Sequence, residues 1–449
     1  MNLKPYTVYL KPYTFFHMQA EYVQKFMKEI TPRSNINATV KIPGSKSITH
    51  RALITAALAD GKSLLKSFLS CEDTLYTLNA LREMGVPISL EGDDVFVSGT
   101  GGRFVSTSKK KEIFLGNSGT SYRLLLSIAA LGKREYIFAG SPRMHERPLG
   151  DLITALNRLG ADITCLEREG YPPVSINASG IKGGKVNISG NISSQYISSL
   201  LLAGPYASEG IEIEIAGKLV SRPYVDLTLD VMRSFGIEVF HEDYQRFIIV
   251  PGKRYNPRVF TIEGDVSSAS YFWGAAAVAG GTVTTENIHP FTTVQGDIAF
   301  LDILQKMGCS VKKEDDRVTV TGGMLKGVET DMKSMPDVVP TLAAIALFAE
   351  GKTVIRNVRH LRYKESDRIG DTARELRSIG GKIEELEAGL IIHGGHKLSG
   401  SEIDPHKDHR LAMSLAVAGL MVPGIRIINE NCVDKSFPSF WKIWESLKQ

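Results

Sequence analysis

Leu81–Gly85 reads LREMG, and the same ending returns as LNRLG at Leu156–Gly160, MRSFG at Met232–Gly236, LQKMG at Leu304–Gly308 and LRSIG at Leu376–Gly380. The glycines recur every 72 to 76 residues, so the chain is an array of similar units and not one irregular fold. Each unit opens on a polar run that leads into a helix of small residues. These are GSKSITHRALITAALA from Gly44, GNSGTSYRLLLSIAAL from Gly116, SSQYISSLLLAG from Ser193, SSASYFWGAAAVAG from Ser267, MPDVVPTLAAIALFA from Met335 and DHRLAMSLAVAGL from Asp408. Short alternating stretches follow each glycine, such as DVFVSG from Asp94 and LIIHGG from Leu390, and predict strands. A unit is therefore two helices with a few strands, and the class is α/β. The sixth unit stops at Gln449 without closing strands, while a spare strand, ATVKIPG from Ala38, stands at the other end. Joining the two predicts that the N-terminal strand completes the last unit. Three units then fall in each of two domains, residues 36–43 plus 264–449 in one and 44–263 in the other, with crossings near Gly44 and Gly264. Ala and Gly on the first helix of each unit permit close approach, so these helices are expected inside, surrounded by sheet.

The 449 residues are 43% hydrophobic, ample for two cores. A net charge of +4 is small and dispersed, and the longest basic run is the Lys109–Lys111 triplet, which argues against nucleic acid. Gly, Ser and charges interrupt every apolar stretch before it reaches the roughly 18 residues of a membrane span. The cysteines Cys71, Cys165, Cys309 and Cys432 form no CxxC pair and no metal-ligand group with histidine, so they read as reduced residues of a cytoplasmic protein with no metal. Residues 1–35 fit none of the repeats and read as an N-terminal extension. They hold LKPYT twice, from Leu3 and from Leu10, with Met18 as an alternative start, and carry no Arg before Arg33 and no Ser before Ser34, unlike a transit peptide.

Helix N-termini bearing cations are anion sites, and the repeat supplies six of them. In PGSKSITHR, from Pro43, Ser45 can cap the helix, Lys46 stands in its first turn, and Ser47 and Arg51 share a face at i and i+4. Alone, this reads rather as a capped surface helix with solvated charges. The repeat phase adds weight: Lys46, Arg123 and Arg410 fall at helix starts, and Arg147, Arg222, Arg368 and Lys435 in the loops that follow. A cleft lined by these cations calls for substrates with several negative charges. Two carboxylates stand in that basic setting, Asp337 in MPDVVP and Glu365 in YKESDR. Either can serve as a general base or merely neutralise its neighbours. Like charges about 6 Å apart at an effective dielectric near 20 repel by about 3 kcal/mol, so an empty cleft is expected to stay open and to close on its ligands.

From about residue 36 onward the chain resembles the 5-enolpyruvylshikimate-3-phosphate synthase family, on PGSKSITHRAL, LGNSGTSYRL, PRMHERP, SSQY, SRPY, EGDVSSASYF, MPD, KESDR, DHR and KSFP, in that order. The resemblance implies a two-domain inverse α/β barrel of six βαβαββ-like units. It also implies condensation of phosphoenolpyruvate with shikimate 3-phosphate through a tetrahedral intermediate, with no cofactor. By motif, Lys46, Gly119, Arg147, Gln195, Arg368, Arg410 and Lys435 would hold phosphoenolpyruvate. Ser47, Arg51, Ser193, Ser194, Gln195, Ser221, Tyr224, Asp337 and Lys364 would hold shikimate 3-phosphate. Lys46, Asp337 and Glu365 would be catalytic. Leu124 and His360 depart from the family's commoner Pro and Asn, and Gly119 is the residue found in glyphosate-sensitive members, so glyphosate is an expected inhibitor. The chain is expected to be a monomer. The related UDP-N-acetylglucosamine enolpyruvyl transferases generally carry Cys or Asp in the loop matching Ser141–Pro148 and lack a KESDR run, and this chain fits neither feature.

Overall fold

The recurring glycines mark a backbone position. Gly85, Gly160, Gly236, Gly308 and Gly380 all have φ between 87° and 112°, the left-handed region that ends a helix without a Cβ clash. In the computed structural model, which describes residues 27–104 and 110–447, each of these helix ends leads into a small sheet. The first 26 residues, with the LKPYT duplication and Met18, and Lys109 of the basic triplet, lie outside the described residues.

The second unit shows the plan. Strands Lys110–Phe114 and Glu135–Ala139 pair in parallel, as a crossover helix (Gly119–Ala130) between them requires. A second helix (Gly150–Arg158) then leads to the antiparallel strands Ile163–Cys165 and Val174–Asn177. The third and fifth units repeat this arrangement. The first and fourth units exchange their opening strands. Ile36–Lys41 pairs in parallel with Gly281–Glu286 of the fourth unit, and Val259–Thr261 with Lys62–Lys66 of the first. The strand starting near Ala38 therefore belongs to the fourth sheet, and the expectation that it completes the sixth is corrected. The sixth sheet is instead extended by Met27–Glu29, antiparallel to Arg426–Ile428, and Ile30 enters the core. A strand that opens a βαβ unit must lie parallel to the strand after the helix, and Ile36–Lys41 meets that condition only in the fourth unit.

The crossings lie side by side. Gly44 and Gly264 form an antiparallel bridge, flanked by Ser45 N–H to the Glu263 carbonyl (2.7 Å) and Asp265 N–H to the Pro43 carbonyl (2.9 Å). A Cβ on Gly44 would stand 2.1 Å from the Ser67 carbonyl oxygen, and one on Gly264 2.3 Å from that of Asn287. Both positions are closed to any side chain.

Two hydrophobic clusters form. One gathers Ile30, Ile36, Val40 and Ile42 with residues from Val266 to Leu447; the other runs from Ile48 to Ile262. Three first helices fill the middle of each. Every residue of Val266–Ala279 is buried, and a Cβ on Gly274 would come within 3.3–3.4 Å of Ile345, Thr341 and Val417 from the two neighbouring helices. Several hydroxyls on these helices satisfy one another, as Ser127 with Ser199 (2.8 Å) and Thr341 with Ser414 (3.0 Å). No helix among the described residues is long and apolar enough to cross a membrane.

Candidate active site

The first helices of both clusters point their N-termini at a common cleft, whose space is about 740 Å³ including its mouth. Its lining includes Lys46, Ser47, Arg147, Ser193, Ser194, Gln195, Ser221, Tyr224, Asp337, Lys364, Glu365, Arg368 and Arg410, with Thr120, Arg123, His360 and Tyr363. Thus most of the residues singled out on sequence meet in one place. The exceptions are Gly119, Lys435, Arg51 and Arg222, whose guanidinium instead stacks on the Tyr244 ring, 3.4 Å from its centroid. Gly119 starts its helix against Arg147, where an added Cβ would lie 2.5–2.9 Å from the guanidinium atoms. Lys435 approaches from the far side and lines a second cavity that shares Glu365 with the cleft.

Arg51 does not line the cleft. It is 1% exposed and donates to Thr228 Oγ1 (2.7 Å), the Ser47 carbonyl (2.8 Å), the Tyr224 carbonyl (2.9 Å) and Ser198 Oγ (3.3 Å). It braces the wall that presents Ser47 and Tyr224. Ser45, expected to cap the Lys46–Leu58 helix, makes no such bond; the cap comes from Asp265 across the crossing, which accepts from Lys46 N–H at 2.9 Å and from Ser268 N–H in its own helix at 3.0 Å. One carboxylate thus serves two helix N-termini, one from each cluster.

The charges alternate through the cleft. Asp73, 1% exposed, sits between Lys46 Nζ (3.1 Å) and Lys435 Nζ (2.5 Å). Burial opposes its charge, yet Lys435 and Lys46 outweigh it and hold its carboxyl down to about 2. Arg147 grips Asn117 through the carbonyl (2.9 Å) and Oδ1 (3.1 Å), and faces Glu365 at 3.6 Å. Arg368 is the hub, donating to Glu365 (2.7 Å), Asp337 (2.9 Å) and Asp408 (2.7 Å). Arg410 and the Tyr224 hydroxyl complete the set on Asp337, at 2.7 and 2.8 Å. Against burial, Arg410, Lys364 and Arg368 hold Asp337 below the usual carboxylate range, and Arg368 and Arg147 do the same for Glu365. Lys46 is raised despite burial, because Asp73 is its partner. Burial, with Arg368 adding to it against Asp337, brings Lys364 down to about 8. His360, pulled down to about 3 by burial and then Lys364, is neutral near pH 7 and lies 3.3 Å from Ser221 Oγ. Ser221 itself has φ 53°, a strained turn that aims its hydroxyl.

Sequence reasoning missed Asp73, Asp408 and Asn117. Asp73 and Asp408 look like ordinary acids at a helix start, and nothing in their spacing distinguishes them from charges that only complement the helix dipole.

The family model for EPSP synthase (3-phosphoshikimate 1-carboxyvinyltransferase) matches residues 30–444. The chain belongs to the EPSP synthase family. It is 46% identical over 426 residues to a 3-phosphoshikimate 1-carboxyvinyltransferase of Sulfurovum sp. (strain NBC37-1), covering 94% of this chain and 99% of that one. With the enzyme of the same name from Vibrio atlanticus identity is 43% over 92% and 97%. A solved EPSP synthase structure from Acinetobacter baumannii superposes with a TM-score of 0.79 at 30% identity, covering 94% and 98% of the two chains. Six small sheets around two helical cores are, with that likeness, the family's two-domain inverse α/β fold.

Proposed function

We propose that this EPSP synthase family member transfers the enolpyruvyl (carboxyvinyl) group of phosphoenolpyruvate to the 5-hydroxyl of shikimate 3-phosphate, releasing phosphate, in the shikimate pathway to aromatic amino acids. The observation that carries this reading is the alternating set around Asp337 and Glu365. Five cations (Lys46, Arg147, Arg368, Arg410 and Lys435) converge there from both cores, enough for the phosphate and carboxylate of one small donor. Gly119 leaves room beside Arg147, and Gln195 is aimed by Arg123 (2.8 Å) and Thr120 (2.9 Å). The hydroxyls of Ser47, Ser193, Ser194, Ser221 and Tyr224, with Lys364, suit a phosphorylated polyol.

Protonation states assign the steps. Asp337 enters ionised and accepts the proton of the attacking hydroxyl, whose oxygen bonds to C2 of the donor. As substrate anions take over Arg410, Arg368 and Lys364, Asp337 loses its counter-ions and becomes a stronger base. Protonated Lys46 delivers a proton to the methylene carbon, giving a methyl group and the tetrahedral intermediate. Ionised Glu365 then removes a proton from that methyl as the bond to phosphate breaks, so the vinyl ether and phosphate leave together. Arg51 acts here through Ser47 and Tyr224 and not by direct contact.

The same reading makes glyphosate, a small phosphonate and carboxylate, a competitor of phosphoenolpyruvate. It takes residues 36–43 plus 264–449 and residues 44–263 as the two closing domains of a cytoplasmic monomer. The test is phosphate release from purified protein with shikimate 3-phosphate or with UDP-N-acetylglucosamine as acceptor, beside Asp337→Ala. Release with the first acceptor alone, reduced at least ~10²-fold in the variant, is expected for loss of a general base. Release with the sugar nucleotide, or an unaffected variant, rejects the reading.

A further inference from the structure

Behind Asp337 lies a second buried carboxylate that the reaction scheme leaves unused. Asp297 sits in the short 3₁₀ segment Gly296–Ala299, which packs against the Pro336–Val338 turn that carries Asp337 and against the helix Val266–Ala279. It is 5% exposed. One of its oxygens, Oδ2, accepts a hydrogen bond from Ser267 Oγ. The other, Oδ1, is buried and has no hydrogen-bond partner among the described residues.

Four titratable or charged groups face it: Asp337 on the adjoining turn, Arg410 at the start of the helix His409–Gly419, Asp265 at the cap of Val266–Ala279, and Tyr224 near the start of the helix Pro223–Ser234. The packed helix Phe300–Met307 adds Asp302 and Lys306, which both point to solvent. Of these four facing groups Arg410 is the one cation, and it is already committed to Asp337 (2.7 Å) and the Tyr271 hydroxyl (3.3 Å). A second ionised carboxylate would stand here without a counter-ion of its own, which buried charges rarely do. Burial, and then the charge on Asp337, push the Asp297 carboxyl up to about 7.

We propose that Asp297 is a positioning residue whose carboxyl group must be neutral beside ionised Asp337 for the anionic donor to bind at Arg410, so that donor binding to the ionised form takes up one proton at Asp297. The proposal rests on the reading that phosphoenolpyruvate binds at Arg410. Neutral Asp297 leaves the Arg410 guanidinium to Asp337 and the donor. Ionised Asp297 competes for that guanidinium and repels both. The proton comes from solvent on binding and returns to it on release, so Asp297 takes no part in the bond-making steps.

Asp297→Asn keeps the shape of the side chain and cannot ionise. The first measurement is kcat/KM for phosphoenolpyruvate at saturating shikimate 3-phosphate, from pH 6 to pH 8.5, in both proteins. The ratio of variant to wild type is expected near 1 at pH 6 and roughly thirtyfold higher at pH 8.5, because each unit above the carboxyl's pKa lowers its neutral fraction about tenfold. A flat ratio, or a variant disabled equally at every pH, overturns the proposal.

The second measurement is unfolding of the ligand-free proteins by urea from pH 4 to pH 8.5. A carboxyl whose pKa is raised by folding stabilises below its unfolded value near 4, and that contribution is lost as pH rises through about 7. Wild type should therefore lose stability relative to Asp297→Asn between pH 4 and pH 7, with a constant difference above about pH 8. A pH-independent difference overturns the proposal whatever the reaction is. Absence of phosphate release from wild type would instead reject the reaction reading, and the unfolding comparison would still decide on Asp297.

Discussion

At the residue scale the cleft is a set of neutralised pairs, and single substitutions should show which member depends on which. Arg147 is 2% exposed and pinned to Asn117 at two points, so it can yield to a methyl group placed 2.5 Å from its Nη2 only by giving up those bonds. Gly119→Ala is therefore expected to displace the guanidinium, raising KM for phosphoenolpyruvate by roughly tenfold, about 1.4 kcal/mol of binding, and weakening glyphosate inhibition further. Unchanged constants for both would detach Gly119 from the donor site. Asp73→Asn leaves Lys46 and Lys435 buried beside a neutral group, which typically costs about 3–5 kcal/mol. The acid limb gives the sign. The carboxyl is depressed from its ordinary value to about 2, so its contribution is present above pH 4 and lost as pH falls toward 2, and the gap between the urea midpoints of wild type and variant should narrow over that window. Sequence placed the cations correctly in phase because the repeat carries them to helix starts. It could not find Asp73, whose partners lie 27 and 362 positions away and leave no periodic trace.

Among elements, the repeat was legible because its punctuation is steric: five helix ends need the same left-handed residue, and glycine answers each time. Strand exchange at the crossings was not legible. Ile36–Lys41 and Val259–Thr261 alternate like any half-buried strand, and periodicity says which face is buried but not which sheet is joined. The crossing glycines provide a test at this level. Gly44→Ala drives a Cβ to 2.1 Å from a backbone oxygen that belongs to a different strand end, so the bridge between Gly44 and Gly264 must part. A loss of about 2–4 kcal/mol in urea unfolding is expected, within the range seen when backbone packing is broken. Gly150→Ala is the control, since its Cβ would meet Gly170 at no less than 3.4 Å. Equal stability of the two variants would mean that the crossing bridge is dispensable.

For the whole molecule, counting cations alone leads to an empty cleft held open by repulsion, and the structure shows why that count is incomplete. Lys435 of one core meets Asp73 of the other at 2.5 Å, Arg147 faces Glu365 at 3.6 Å, and Tyr224 donates to Asp337 at 2.8 Å. Arg143 adds a clasp onto a neutral acceptor, donating across the cleft to the Lys364 carbonyl at 3.2 Å. Each lobe brings carboxylates as well as cations, so attraction across the cleft offsets the repulsion, and substrates must replace internal counter-ions as they enter. Closure should then depend on those pairs and not on ligand alone. Small-angle scattering of ligand-free protein is expected to give a compact particle that expands in Asp73→Asn and in the Arg143→Ala, Glu365→Gln double variant. Adding both substrates should restore compactness to Asp73→Asn, whose lysines then find substrate anions, and less completely to the double variant, which has also lost the clasp. If ligand-free wild type is already as expanded as the variants, repulsion among the cations governs the cleft after all, and the pairs seen here form only once substrate has drawn the lobes together.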